Sequence, residues 1–228
     1  MRIAVTTTAD SFERWQAPLQ FHGLEPVPLA CIEIRPVSEA GLAEARVEAT
    51  DADLILITSA RAVRLLWPEG GMPSTPAAAV GDATARAVEE AGGSVSVRGR
   101  GDGDDLVDLL VDEVQGKRVF FPAARDADPS RARRLTAAGA RVETRVAYTT
   151  VPVAPGPDPV EAAVFGSPTS LAGWLLSRTL DELELVAAMG ATTAAALRER
   201  SREPDVVPER SSVEAIAAEL AAIVERTP

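Results

Sequence analysis

Four places where an apolar run gives way to a helical pattern carry small residues and hydroxyls. They are Thr58-Ser59-Ala60-Arg61, Gly81-Asp82-Ala83-Thr84, Gly166-Ser167-Pro168-Thr169-Ser170 and Gly190-Ala191-Thr192-Thr193. In an open parallel sheet such junctions stand at the carboxyl ends of the strands, where ligands bind. A helix start there presents N–H groups without intrahelical partners, at the positive end of the helix dipole. For any single Ser, Thr or Asp, capping of its own helix is the plainer reading. Four such junctions together point to an anion-binding cleft, with Thr58, Ser59, Gly81, Thr84, Ser167, Thr169, Thr192 and Thr193 as candidate binding residues.

Other chemistries find little support. No Gly-x-Gly-x-x-Gly follows a first strand, the run Gly99-Arg-Gly-Asp-Gly103 is acidic and loop-like, and a Walker A pattern is absent, so nucleotide binding is unsupported. His22 precedes Gly23 at the end of the first helical stretch, where a C-terminal cap is the plain reading. Cys31 lies in an apolar strand and reads as a small buried residue. One cysteine excludes an internal disulfide, and with one histidine there is no obvious zinc constellation, so no metal is expected. The only tyrosine, Tyr148, has two readings. Its ring fills a hinge with the hydroxyl in water, or its phenol donates a hydrogen bond or a proton to a departing oxygen.

The elements that must position these residues alternate. Strand-like runs cover 2–6, 26–34, 53–58, 78–80, 94–97, 118–121, 142–150, 162–165, 186–189 and 205–207, with helical periodicity over stretches such as 83–91, 105–114 and 213–224. Strict alternation predicts an α/β fold with parallel sheets covered by helices. The pattern is also written twice. Gly81-Asp-Ala-Thr84-Ala85-Arg-Ala87 recurs as Gly190-Ala-Thr-Thr193-Ala194-Ala-Ala196, and Asp53-Leu-Ile-Leu-Ile-Thr-Ser59 as Glu161-Ala-Ala-Val-Phe-Gly-Ser167. Two similar lobes are expected, with their function in a cleft between them. Two long strand-like segments, near 28–36 and 142–152, end in Pro36 and Pro152 and read as the crossings between the lobes. Two lobes joined by only two strands should rotate about them.

Of 228 residues, 46% are hydrophobic and 25% charged, and the formal net charge is −11. Such acidity argues against nucleic acid as a partner, since phosphate binding needs basic surface. It also repels an anionic substrate at long range, so an anion site must rely on local donors. The chain opens directly on Ile3-Ala4-Val5 with nothing like a signal peptide, and its longest apolar runs are too short for a bilayer. The expectation is a cytoplasmic monomer acting on a small molecule, with no membrane contact.

The motifs, taken in order, resemble the uroporphyrinogen-III synthase family over essentially the whole chain. The resemblance rests on Val5-Thr6, Thr58-Ser59-x-x-Ala62-Val63, Ala79-Val80-Gly81-x-x-Thr84-Ala85 and Leu135-x-x-x-Gly139-Ala140-x-Val142…Val146-Ala147-Tyr148-x-Thr150. It continues through Ser167-Pro168, Gly190-x-x-Thr193-Ala194-x-Ala196-Leu197 and Ser211-Ser212-Val213-Glu214-Ala215-Ile216. It implies two α/β lobes, 1–34 with 152–228 and 37–145, joined by a two-stranded antiparallel ladder. It implies a cofactor-free cyclising lyase of tetrapyrrole (heme) biosynthesis. Such an enzyme takes hydroxymethylbilane, removes water and inverts ring D to give uroporphyrinogen III, by way of an azafulvene cation and a spiro intermediate. Tyr148 matches the family tyrosine proposed to assist departure of the hydroxyl.

Two departures bear on carboxylate binding. Where members often carry an arginine after the first Val-Thr, Thr7 stands here. Where an Arg-Gly pair often follows the strand matching 119–121, the chain reads Pro122-Ala123-Ala124-Arg125, and whether Arg125 replaces that arginine is open. The alternatives are a non-catalytic tetrapyrrole- or anion-binding module on the same fold, or a two-lobed small-molecule binder of the periplasmic type.

Overall fold

The computed structural model describes residues 1–209 and 212–226; Ser211 of the last motif lies outside them. Its contacts divide the chain into two compact units, Met1–Ile34 with Thr150–Pro228, and Arg35–Thr149.

The first unit is built on four strands, β1 (Arg2–Val5), β2 (Glu25–Pro28), β9 (Ala162–Phe165) and β10 (Leu185–Ala188), in the order β10-β9-β1-β2. All three pairings are parallel. β9 is buried along its whole length and β1 at three of four positions, because helices cover both faces of the sheet. Alternate residues feed two cores. Ala4, Ala163 and Phe165 pack with Leu171 and Trp174 of α7 (Pro168–Trp174) and Ala194 and Leu197 of α8 (Ala191–Arg198). Ile3, Val5 and Val164 pack with Trp15 and Leu19 of α1 (Glu13–Phe21) and Ile216 and Leu220 of α9 (Val213–Val224).

The second unit repeats the plan. Its sheet runs β3 (Ile32–Pro36), β8 (Arg141–Pro152), β7 (Arg118–Ala124), β4 (Leu54–Ile57), β5 (Ala77–Ala79), β6 (Val95–Arg98), with β8 through β6 all parallel. The run Leu54-Ile-Leu-Ile57 splits by alternation. Ile55 and Ile57 meet α2 (Glu39–Asp51), α3 (Ala60–Leu66) and α4 (Asp82–Glu90); Leu54 and Leu56 meet α5 (Gly103–Leu110) and α6 (Ser130–Ala137). The predicted α/β class with parallel sheets flanked by helices is what the structure has.

Two expected strands are different. The run 26–34 is not one strand: β2 ends at Pro28 in one sheet and β3 begins at Ile32 in the other. The prolines explain the first part. Glu25 N–H donates to Met1 O and Leu29 N–H to Val5 O, so Pro26 and Pro28, alternate to them, place their missing donors on the open edge of the sheet. Between the strands, Cys31 N–H still bonds Thr6 O at 3.2 Å. The run 205–207 forms only an isolated bridge, Val206 to Ala187, while the Asp205 carboxylate accepts from Val186 N–H.

Cys31 is fully buried, and burial pushes its thiol up to about 12 from the ordinary 9. It is therefore protonated and unreactive at neutral pH. The thiolate is disfavoured in the fold, so this contribution to stability is complete below the ordinary thiol value and is lost as pH rises from there towards 12. Native protein at pH 8 should leave Cys31 unalkylated by iodoacetamide over a time that labels the urea-unfolded chain completely, as read by mass.

Candidate functional site

Because β8, β7, β4 and β5 are parallel, their carboxyl ends share one edge of the second unit's sheet. Leaving β4, Thr58 and Ser59 are half-buried, and Ser59 Oγ accepts from Arg61 N–H at 3.2 Å, capping α3. Leaving β5, Gly81 begins α4 with no side-chain cap. Its φ of −177° suits any residue, so glycine stands there for room: a Cβ would lie 3.2 Å from Gly101 N and Cα. Gly101, at φ +106°, is itself in a region few side-chain-bearing residues adopt, and its N–H bonds Val80 O at 2.7 Å. The acidic glycine run is thus the wall beside the start of α4. Thr84 is buried within that helix.

Tyr148 stands at the same edge, on β8. The register with β7 shifts so that Ala124 pairs with Tyr148, one residue further on than the preceding pairs. Such a bulge re-aims the side chains that follow it. Arg125 N–H donates to Tyr148 O at 2.9 Å, and Arg125 Nε donates to Thr149 Oγ1 at 3.1 Å. The Tyr148 side chain is buried in a residue only 5% exposed, with the Arg61 guanidinium 5.7 Å from the ring centroid. Arg61 reaches this ring from α3, across the end of β7.

The first unit has corresponding junctions. Ser167 Oγ accepts from Ser170 N–H, and Ser170 Oγ accepts from Ser167 N–H, both at 3.1 Å, a reciprocal capping box at the start of α7. Thr169, in the first turn, is half-buried. Gly190 begins α8 with no side-chain cap and nearly the same dihedrals as Gly81, −174° and 178°. Thr192 is exposed and Thr193 buried. At the end of β1, Thr6 is fully buried and donates to Val164 O at 2.6 Å.

The eight junction residues therefore divide. Ser59 and Ser167 take up amides of their own helices, the capping role weighed for any single residue. Thr84 and Thr193 face the interior of their units. What the starts of α4 and α8 offer is backbone N–H. Sequence reasoning passed over Arg61 as a partner of Tyr148: it is the second residue of α3, and no periodicity tells that its side chain folds back over a strand far along the chain. His22 is exposed at the end of α1, its N–H bonding Leu19 O and Gln20 O, with Gly23 following at φ +71°. No cluster of His, Cys, Asp and Glu suited to a metal ion occurs among the described residues, and no helix among them is long and apolar enough to cross a membrane.

A family model, Uroporphyrinogen-III synthase HemD, matches residues 13–218. The chain belongs to the uroporphyrinogen-III synthase family. No curated protein matches it significantly in sequence. Among solved structures, uroporphyrinogen-III synthetase from Helicobacter pylori is similar, with a TM-score of 0.70 at 20% identity over 98% of this chain and 100% of that one. A mutant uroporphyrinogen III synthase from Thermus thermophilus gives 0.62 at 21% identity, over 99% and 98%. The wild-type Thermus enzyme in another crystal form gives 0.51 at 22% identity, over 99% and 98%. At these identities the likeness is one of fold. Between uroporphyrinogen-III synthases and this chain that likeness spans both compact units.

Proposed function

We propose that the chain carries out its family's reaction with Tyr148 as the group that assists loss of the hydroxyl. The activity is that of a uroporphyrinogen-III synthase, a cyclising lyase of tetrapyrrole biosynthesis that closes hydroxymethylbilane with inversion of ring D and loss of water. The observation that carries the residue assignment is the placing of Tyr148 at the sheet edge that also holds the starts of α3 and α4.

Hydroxymethylbilane carries acetate and propionate carboxylates on every ring. The uncapped amides at Gly81 and Gly190 suit such groups, because aligned N–H donors bind carboxylate without a full positive charge. Exposed Thr192 and half-buried Thr58 and Thr169 add hydroxyl donors, as do the Oγ–H groups of Ser59 and Ser167. Arg125, exposed and, among the described residues, bonded through its side chain to Thr149 Oγ1 alone, supplies a cation just beyond the end of β7. Tyr148 Oη gives its proton to the departing hydroxyl, which leaves as water, and the proton released as the macrocycle closes restores the phenol. The resulting azafulvene cation closes through the spiro intermediate, and no protein nucleophile is required. The chemistry is proton donation and restraint of shape.

The connection between the units is read as a two-stranded antiparallel ladder. Val153 N–H bonds Cys31 O and Val37 N–H bonds Ala147 O, so six residues forward along one segment accompany six residues back along the other. Soluble small-molecule chemistry of this kind needs no nucleic acid and no metal.

The test is the isomer. Purified protein given freshly made hydroxymethylbilane should yield uroporphyrinogen III, separated from type I by chromatography after oxidation. Type I alone, at the spontaneous rate, would falsify the activity and leave a binding module on this fold.

A further inference from the structure

Arg61 is a half-buried guanidinium that pairs with no carboxylate among the described residues. That is unusual company for a chain of net charge −11, in which Arg46, Arg98, Arg134, Arg145, Arg178 and Arg198 all hold carboxylates. Its neighbour instead is the face of Tyr148, 5.7 Å from Cζ to centroid. Ser59 Oγ fixes the Arg61 amide at the first turn of α3, so the side chain starts from a set backbone. The backbone of Tyr148 is fixed on the other side by Arg125 N–H. A guanidinium laid over a phenol is attracted by the electron-rich face of the ring, the more strongly as water is excluded. Tyr148 is 5% exposed, so this contact works in a largely dry setting. Among the described residues no protein group hydrogen-bonds Tyr148 Oη, so the direction of the hydroxyl depends on how the ring itself is held.

We propose that Arg61 is a positioning residue for the reaction: through its contact with the ring it holds Tyr148 in the orientation from which Oη meets the departing hydroxyl. This rests on the catalytic reading of Tyr148. Arg61 acts on turnover through that tyrosine and does not serve chiefly to bind a substrate carboxylate.

The presence of a single tyrosine makes the idea directly measurable. Full-length protein labelled at the tyrosine ring gives one set of ring resonances, all from Tyr148. In Arg61→Gln these should shift and sharpen towards a freely flipping ring, and in Arg61→Lys, which keeps a cation, they should stay closer to the parent protein. Arg61→Gln should lower kcat about tenfold with KM within about twofold, tenfold being ~1.4 kcal/mol and within the range of a desolvated cation–π contact. Arg61→Lys should recover part of that loss. Added to Tyr148→Phe, Arg61→Gln should cause no further loss, because residues acting as a unit are not additive.

A raised KM with kcat unchanged, or an equal loss with and without the Tyr148 hydroxyl, overturns the positioning role in favour of direct carboxylate binding. Unchanged ring resonances overturn it as well, whatever the kinetics, and need no active enzyme. If Tyr148→Phe itself turns over like the parent, the catalytic reading of Tyr148 falls, and the role of Arg61 in catalysis falls with it. If Tyr148→Phe is impaired and Arg61→Gln is not, only the inference about Arg61 is lost.

Discussion

Tyr148→Phe should form uroporphyrinogen III with a kcat reduced about 10²-fold or more, the usual contribution of a positioned general acid. KM and the unfolding midpoint should change little. The substitution removes one oxygen and keeps a ring of the same size in the same buried place, under the same guanidinium. Among the described residues no hydrogen bond is lost with the hydroxyl, so no buried partner there is left unsatisfied. At the slower enzymatic rate, spontaneous closure competes, and the fraction of type I isomer should rise. The measurement is initial rate and isomer ratio over a range of hydroxymethylbilane, with urea unfolding as the stability control. A parent-like kcat would remove Tyr148 from the chemistry.

Gly173→Ala is expected to cost about 3 kcal/mol or more, at or beyond the upper end for overpacking a rigid site. Gly173 lies one residue from the end of α7, and a Cβ there would run into the Cys31 carbonyl and come within 2.8 Å of Val153 O. Both obstacles are backbone, and they are bonded to each other: Val153 N–H donates to Cys31 O at 2.9 Å. Nothing flexible can give way. Either that bond breaks or α7 retreats, taking with it fully buried Trp174, whose ring packs edge-on to Phe165 at 5.8 Å and whose Nε1 donates to Thr179 O. The urea midpoint, followed by tryptophan fluorescence, should fall sharply. Cys31 should become open to alkylation in the variant well below the denaturant concentration needed for the parent. A stability change of less than ~0.5 kcal/mol, the usual range for an uncritical surface change, would mean that α7 yields to an added methyl and that its close approach does not limit stability.

How much of this was legible in the sequence varies by element for physical reasons. Helix α9 falls on the predicted 213–224, because its apolar residues repeat with helical period and Ser212 caps it through Ala215 N–H. Strands β4 and β9 were visible as short apolar runs, the mark of a sheet covered on both faces. β7 is longer than the expected 118–121. Pro122 argues against a central strand, yet β4 pairs with β7 only at Val119 and Phe120, so the proline sits where the ladder continues on one side alone. The run 26–34 misled because apolar character says that a segment is buried and not which sheet buries it. The family likeness was readable from motif order. The Arg61–Tyr148 contact was not, since it depends on strand order β8-β7-β4 and on the bulge at Ala124, neither of which leaves a local pattern.

The order β10-β9-β1-β2 has a consequence for synthesis. A chain emerging from the ribosome delivers β1, α1 and β2 first, yet β1 has β9 as its second neighbour, and Trp15 and Leu19 of α1 pack with Ile216 and Leu220 of α9. The stretch Arg35–Thr149 is uninterrupted and holds its own two cores, so it can condense while the ribosome is still working. The first 34 residues meanwhile remain an unfinished sheet with an open strand edge and bare apolar faces, the kind of surface that chaperones recognise and other chains misjoin. The described elements are therefore expected to mature from the stretch 35–149 outward, with β1 and α1 secured only once α9 has been made.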